Sequence, residues 1–206
     1  MHTINRFELF SKDEPRIGVI IGTGQSLTIQ QIERVKHLRK FGVNNTYEFG
    51  LDVHLACNPE WWDYYGSDFP GHKWTWDYET AIEHGINHIH GRWADGLSTD
   101  PNYIHYHHGS GPQIINLAYH YGVKTMLLIG WDMRYGQKRH YFGEYPKPLQ
   151  HWPKTGKNGE FTGLIKEMET IVPNDYGIEI INCTPGSALT CYPYRSLSES
   201  LKDLGF

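Results

Sequence analysis

Short runs of apolar, β-branched residues alternate along this chain with stretches whose apolar positions recur at helical spacing. The first run, Arg16-Ile17-Gly18-Val19-Ile20-Ile21-Gly22, reads as a buried strand, and residues 27–40 read as an amphipathic helix. Phe41-Gly42-Val43 predicts a second strand that stops at Asn44-Asn45. Val53-His54-Leu55-Ala56-Cys57 predicts a third, ending in Asn58-Pro59, with Pro59 opening a helix that carries Trp61 and Trp62. Lys73-Trp74-Thr75-Trp76 and Ile86-Asn87-His88-Ile89 are candidate strands, and 91–101 reads as a loop. Ile114, Ile115, Leu117, Ala118 and Tyr121 share one face of a helix over 111–121 that Gly122 ends. The unbroken apolar run 125–130 predicts a central strand. Beyond it, 161–172 reads as a helix, 178–183 as a strand and 196–204 as a last helix.

Such alternation predicts an α/β fold: a mostly parallel sheet with helices on both faces. The 206 residues suit one domain, 16–206, preceded by a polar arm at 1–15. Residues 131–161 are long, polar and rich in Gly, Pro, Lys and His, so a lid-like loop over about 132–160 is expected.

Nineteen Lys and Arg against 23 Asp and Glu leave a net charge of −4, so no global basic field recruits nucleic acid, although a local patch could. Cys57, Cys183 and Cys191 form neither zinc-type spacing nor an even disulfide framework and read as reduced thiols. No apolar run reaches membrane-spanning length and no signal-peptide core opens the chain. A soluble, cytoplasmic protein without a membrane partner is expected.

Open parallel sheets bind ligands at the carboxyl ends of their strands. Gly22-Thr23-Gly24-Gln25-Ser26, Asn44 to Tyr47, Asn58-Pro59 and Asp132 to Tyr135 fall at such ends. Strand, glycine turn and helix place backbone N–H groups where they attract anions. Gly22 and Gly24 would allow close approach of a phosphate, and Ser26 could cap the helix or bond a phosphate oxygen. The turn departs from the dinucleotide fingerprint, which needs a further glycine, and from the P-loop, which needs a lysine. His108-Gly109-Ser110-Gly111 opens a predicted helix and offers a second anion site. His140 lies in Gly136-Gln137-Lys138-Arg139-His140-Tyr141-Phe142-Gly143, where an imidazole could take a proton from an acceptor hydroxyl while Lys138 and Arg139 neutralise a leaving phosphate. His88 with His90, and His105 with His107, could share a strand face as metal ligands or simply stack as surface rings. Asp132 could hold Mg²⁺ or cap the following turn. Trp61, Trp62, Tyr64, Tyr65, Trp74 and Trp76 suit a core, an oligomer interface or a stacking surface.

Taken in order, Ile21-Gly22-Thr23-Gly24-Gln25-Ser26-Leu27, Val43-Asn44-Asn45-Thr46-Tyr47, Cys57-Asn58-Pro59, Gly109-Ser110-Gly111 and Leu128-Ile129-Gly130-Trp131-Asp132-Met133 resemble glycosyltransferase family 42, the bacterial CMP-sialic acid sialyltransferases. A similar framework occurs in the MptE-like pterin pyrophosphokinases. Arg139-His140-Tyr141-Phe142-Gly143 and Ile181-Asn182-Cys183-Thr184-Pro185-Gly186-Ser187-Ala188-Leu189 are similar to phage-encoded proteins labelled norphogenetic, over most of 16–204. The resemblance implies a single Rossmann-like domain of the GT-A variant type and a transferase using a nucleotide-activated donor, a CMP- or UDP-linked sugar, without a bound metal. It implies that Gly22, Thr23, Gly24, Gln25 and Ser26 approach the donor phosphate and that Asn44 and Asn58 hold phosphate, ribose or donor sugar. Ser110 and Gly111 would contact base or donor, and His140 would be the general base. The tyrosine pair that follows the family's Asp-bearing strand is Met133-Arg134-Tyr135 here, so Arg134, Arg139 or Tyr141 would steady the leaving phosphate. Two alternatives stand beside this reading: a diphosphotransferase with Mg²⁺ on Asp132, and a non-catalytic nucleotide-sequestering protein. The acceptor, nucleic acid among the candidates, and a homo-oligomer are left open.

Overall fold

The structure, a computed structural model, describes residues 7–106, 109–150 and 159–206. Strands β1 (Ile17–Ile21), β2 (Arg39–Val43), β3 (Val53–Leu55), β4 (His72–Thr75) and β5 (Asn87–His88) step outward in chain order from the middle of a seven-stranded sheet. A separate parallel pair follows, β6 (His90–Trp93) with β7 (Tyr103–Tyr106). The chain then returns to the open side of β1 as β8 (Thr125–Ile129), and β9 (Glu179–Asn182) pairs beyond it. Every pairing in the larger sheet is parallel, compatible with a Rossmann-like fold. Among the described residues six α-helices connect these strands: α1 (Ile29–Arg34), α2 (Pro59–Tyr65), α3 (Tyr78–Glu83), α4 (Ser110–His120), α5 (Gly159–Glu169) and α6 (Leu197–Asp203). None of these helices is long and apolar enough to cross a membrane.

Central strands need apolar residues on both faces, and β1 is buried along its whole length. Ile20, Phe41, Val43, Leu55 and Leu128 pack with Ile114, Leu117 and Ala118 of α4 and Met168 of α5. On the opposite face, Ile21, Leu127, Ile129 and Ile181 pack with Ile32 of α1 and Leu197 and Leu201 of α6. Asn116, buried on α4, accepts from the N–H groups of Ser98 (2.8 Å) and His105 (3.0 Å) and so ties β7 to the helix.

Several expected elements differ. The helix expected over 27–40 covers only α1, because Arg39 and Lys40 pair with Gly18 and Val19 in the sheet. Sheet pairing outweighs the helical spacing of Ile32, Val35 and Leu38, which stay buried through the turn. The loop expected over 91–101 begins inside β6, and α3 was not anticipated. The described part of the arm is anchored: Phe7 is buried and stacks on Trp74 (5.3 Å), and Glu14 pairs with Arg39.

Candidate active site

The chain leaves β1 toward β2 and returns on the other side as β8, so the crevice beyond the carboxyl ends of these two strands is the sheet's topological switch point. The loops after β1 and β8 cross there and are fastened together. Gly22 N–H donates to the Ile129 carbonyl (2.9 Å) and Gly24 N–H to the Gly130 carbonyl (2.8 Å). Ser26 donates from its hydroxyl to Asp132 Oδ2 (2.8 Å) and from its N–H to the same carboxylate (3.3 Å). A Cβ on Gly22 would lie 2.5 Å from the Gly130 carbonyl oxygen, and one on Gly24 would overlap the Asp132 carboxylate. These glycines are therefore required by the loop crossing itself. The N–H groups of Gly22, Gly24 and Ser26 are taken up within the crossing, while Gly22, Thr23 and Gly24 line the cleft above it. Ser26 does not cap α1; Thr28 does, in a capping box with Gln31.

Over the crossing lies a cleft of about 680 Å³ of empty space, its solvent mouth included. Thr23, Asn44, Ser110, Gly111, Arg134, Arg139 and His140 converge on it from five separate stretches of chain. Ser110 and Gly111 open α4, an 11-residue helix, so its positive dipole end faces the same space as Arg134 and Arg139. Asn44 (φ 49°) and Met133 (φ 50°), the two non-glycine residues of left-handed backbone among those described, both line it. Strained backbone of this kind gathers at functional sites.

His140 is held on several sides. Its Nδ1 bonds the Thr23 hydroxyl (3.1 Å), its ring stacks on Phe142 (4.9 Å between centroids), and Tyr145 meets its edge. With Nδ1 engaged, Nε2 is the nitrogen left for a substrate. Burial, and secondarily the charge of Arg139, push its pKa down to about 4, so the ring is neutral at pH 7. A neutral imidazole is the form that accepts a proton.

Other expected residues are placed differently. Gln25 turns to the lid segment, where its Oε1 accepts from Lys138 N–H (3.2 Å), and it does not line the cleft. Tyr141 donates its hydroxyl to the Asn45 carbonyl (2.7 Å) and packs on Phe49, so it does not reach the cleft either. Burial and the neighbouring Glu48 carboxylate raise its pKa. Asn58 lines only an adjoining compartment, with Glu144, Tyr145 and Gln150. Trp131, Phe161 and Leu164 also line the cleft; their apolar patterning gave no sign of this. The loop after β9 braces it from below: Thr184 Oγ1 accepts from Trp131 N–H (3.0 Å) and Ser187 Oγ donates to the Trp131 carbonyl (2.5 Å).

Asp132 is buried and engaged by Ser26. It belongs to no group of three or more metal-ligating side chains among the described residues; the one such group is Asp63, Glu83 and His84, none of which lines the cleft. His88 and His90 stack edge to face (4.7 Å), and His105 Nδ1 bonds the Asp95 carbonyl (2.9 Å). His107 and His108 lie outside the described residues. No protein-family model, curated protein or solved structure matches this chain.

Proposed function

We propose that the protein is a transferase acting on a nucleotide-activated donor, most simply a nucleotide sugar, through a single-domain framework of the Rossmann-like, GT-A variant kind. The observation that carries this reading is the convergence of a neutral, oriented His140 with two arginines and the start of α4 at the switch point of a parallel sheet. In this reading the donor phosphate lies between Ser110-Gly111 and the guanidinium groups of Arg134 and Arg139, which stabilise the charge that develops as it departs. Nε2 of His140 removes the proton of an acceptor hydroxyl. That oxygen forms the new bond to the anomeric carbon, the bond from carbon to phosphate oxygen breaks, and its electron pair leaves on the nucleotide. Thr23 fixes the ring's orientation.

The lid expected over about 132–160 is described over 132–150, which covers the cleft in this scheme; 151–158 lie outside the described residues. The segment is pinned at Lys138 by Gln25 and at Tyr141 by the Thr23 and Asn45 carbonyls, which sets His140 over the cleft. Asp132 acts on position, by fastening the turn after β1 to β8. Its engagement by Ser26 favours chemistry without Mg²⁺ over the diphosphotransferase alternative.

The test is donor turnover by wild type and His140→Ala with the nucleotide sugar that binds. Loss of a general base lowers kcat by about 10²–10⁴-fold. Donor binding should survive the substitution. Turnover that ignores it would remove His140 from the mechanism, and binding without turnover in wild type would leave the sequestering protein.

A further inference from the structure

Asn44 and Asn45 follow β2, and the fold uses them differently. Asn45 is buried and taken up by its surroundings: Oδ1 accepts from Trp61 Nε1 (2.9 Å), Nδ2 donates to the Tyr65 hydroxyl (2.9 Å), and its carbonyl accepts from Tyr141. Asn44 lines the cleft instead, in the left-handed backbone region (φ 49°). Asparagine enters that region more readily than most side chains, yet the conformation is still disfavoured, so the turn needs support. His54 of β3 lies beneath it. Its ring is fully buried against Tyr47, Trp61, Trp62 and Phe69, the nearest being Trp61 at 4.9 Å between centroids. His54 Nε2 lies 2.8 Å from the Asn44 carbonyl oxygen. A carbonyl only accepts, so Nε2 carries the proton and Nδ1 is a bare acceptor. That Nδ1 is buried without a hydrogen-bond partner among the described residues. An unsatisfied buried nitrogen destabilises a fold, and an apolar side chain would fill the same aromatic cage without one. Packing alone therefore does not account for a histidine here; the bond to Asn44 does. Beyond it, the Asn44 side chain hydrogen-bonds the Tyr145 hydroxyl, and the Tyr145 ring meets the edge of His140 (5.2 Å).

We propose that His54 is a positioning residue: by donating from Nε2 to the Asn44 carbonyl it holds the left-handed turn that sets Asn44 in the cleft wall, and it touches no ligand itself. The direction of that carbonyl follows from the φ and ψ of Asn44, so a donor locked in the core fixes both. The consequence for donor binding rests on the transferase reading; the tautomer and the turn do not.

NMR on the labelled full chain tests the positioning directly. Imidazole nitrogen shifts should show His54 protonated at Nε2 and bare at Nδ1, and backbone shifts should show Asn44 left-handed. His54→Leu fills the cage without a donor, whereas His54→Gln keeps an amide nitrogen near the place of Nε2. Asn44 should leave the left-handed region in His54→Leu and return to it in His54→Gln, with His54→Phe as a second apolar variant should His54→Leu unfold. Affinity for the nucleotide sugar that binds wild type should fall about 3- to 10-fold in the apolar variant, the worth of one neutral hydrogen bond, and recover in His54→Gln. In an Asn44→Gly background, where glycine takes the turn freely, the apolar variant should weaken binding no further. A merely structural role would weaken binding alike in both backgrounds. A proton on Nδ1, an unmoved Asn44 in a folded apolar variant, or a loss of affinity that persists in Asn44→Gly overturns the proposal. Failure of the transferase reading shows separately, as a wild type that binds no nucleotide sugar, and the tautomer and the turn then decide the positioning.

Discussion

At the scale of the residue, His140 is where burial, a neighbouring charge and an orienting hydroxyl meet. Its ordinary pKa near 6.5 falls to about 4, so it is ready to accept a proton across the whole neutral range. Because kcat/KM reports the free enzyme, its pH profile should be flat above about pH 5 on the acid side and fall about tenfold per unit below about 4. A fall centred near 6.5 instead would mean an exposed imidazole. That His140 lines the cleft agrees with its reading from a polar, glycine-flanked segment, whereas its partner Thr23 lies 117 positions away and is joined to it only by folding. The same distance hid the use made of Asp132. A carboxylate after a central strand is readable as ligand or cap, and only the crossing of the two loops shows that Ser26 takes it. Gln25 and Tyr141 sit in the right segments, but local turns aim them elsewhere.

At the scale of the element, the loop crossing beyond β1 and β8 determines the shape of the cleft. Asp132→Ala leaves the Ser26 N–H and hydroxyl without their acceptor and should destabilise the fold by about 1–3 kcal/mol. Gly24→Ala forces a methyl against that carboxylate and should cost a similar ~1–3 kcal/mol through overpacking. Urea unfolding midpoints measure both, and a change within error in either would show that the crossing is looser than described. The strands were legible because β1 and β8 are continuous apolar runs that only a doubly covered parallel sheet can bury. α1 was misjudged in length because the spacing of Ile32, Val35 and Leu38 suits both a helix and a helix followed by a buried turn. β6 was missed because His90-Gly91-Arg92-Trp93 has no apolar alternation and pairs with a strand that begins ten residues after it ends.

At the scale of the whole molecule, two histidines make the fold acid-sensitive. His54 is enclosed by Tyr47, Trp61, Trp62 and Phe69, and burial pushes its pKa down to about 3. With His140 near 4, both are neutral when folded and protonate near 6.5 when unfolded. Between pH 6.5 and 4 the unfolded chain therefore binds more protons, and stability falls as pH falls. Unfolding at pH 5 should take up roughly two protons through these groups, a slope of about 2.7 kcal/mol per pH unit. Chemical denaturation at pH 5 and 7 measures this, and His140→Ala should remove about half of the slope. A slope unchanged in that variant would mean that His140 is solvated in the native state.

The central claim, a metal-independent nucleotide donor bound beside His140, is tested most directly by thermal shift in EDTA. CMP, UDP and GDP, their sugar conjugates and ATP are compared for wild type, His140→Ala and Arg134→Ala, with and without added Mg²⁺. A ligand at about 100 times its Kd adds about 2.7 kcal/mol to native stability and raises the Tm. The account predicts a shift with one nucleotide sugar in EDTA, retained by His140→Ala and reduced by Arg134→Ala. A shift confined to ATP with Mg²⁺, or none with any nucleotide, would contradict it.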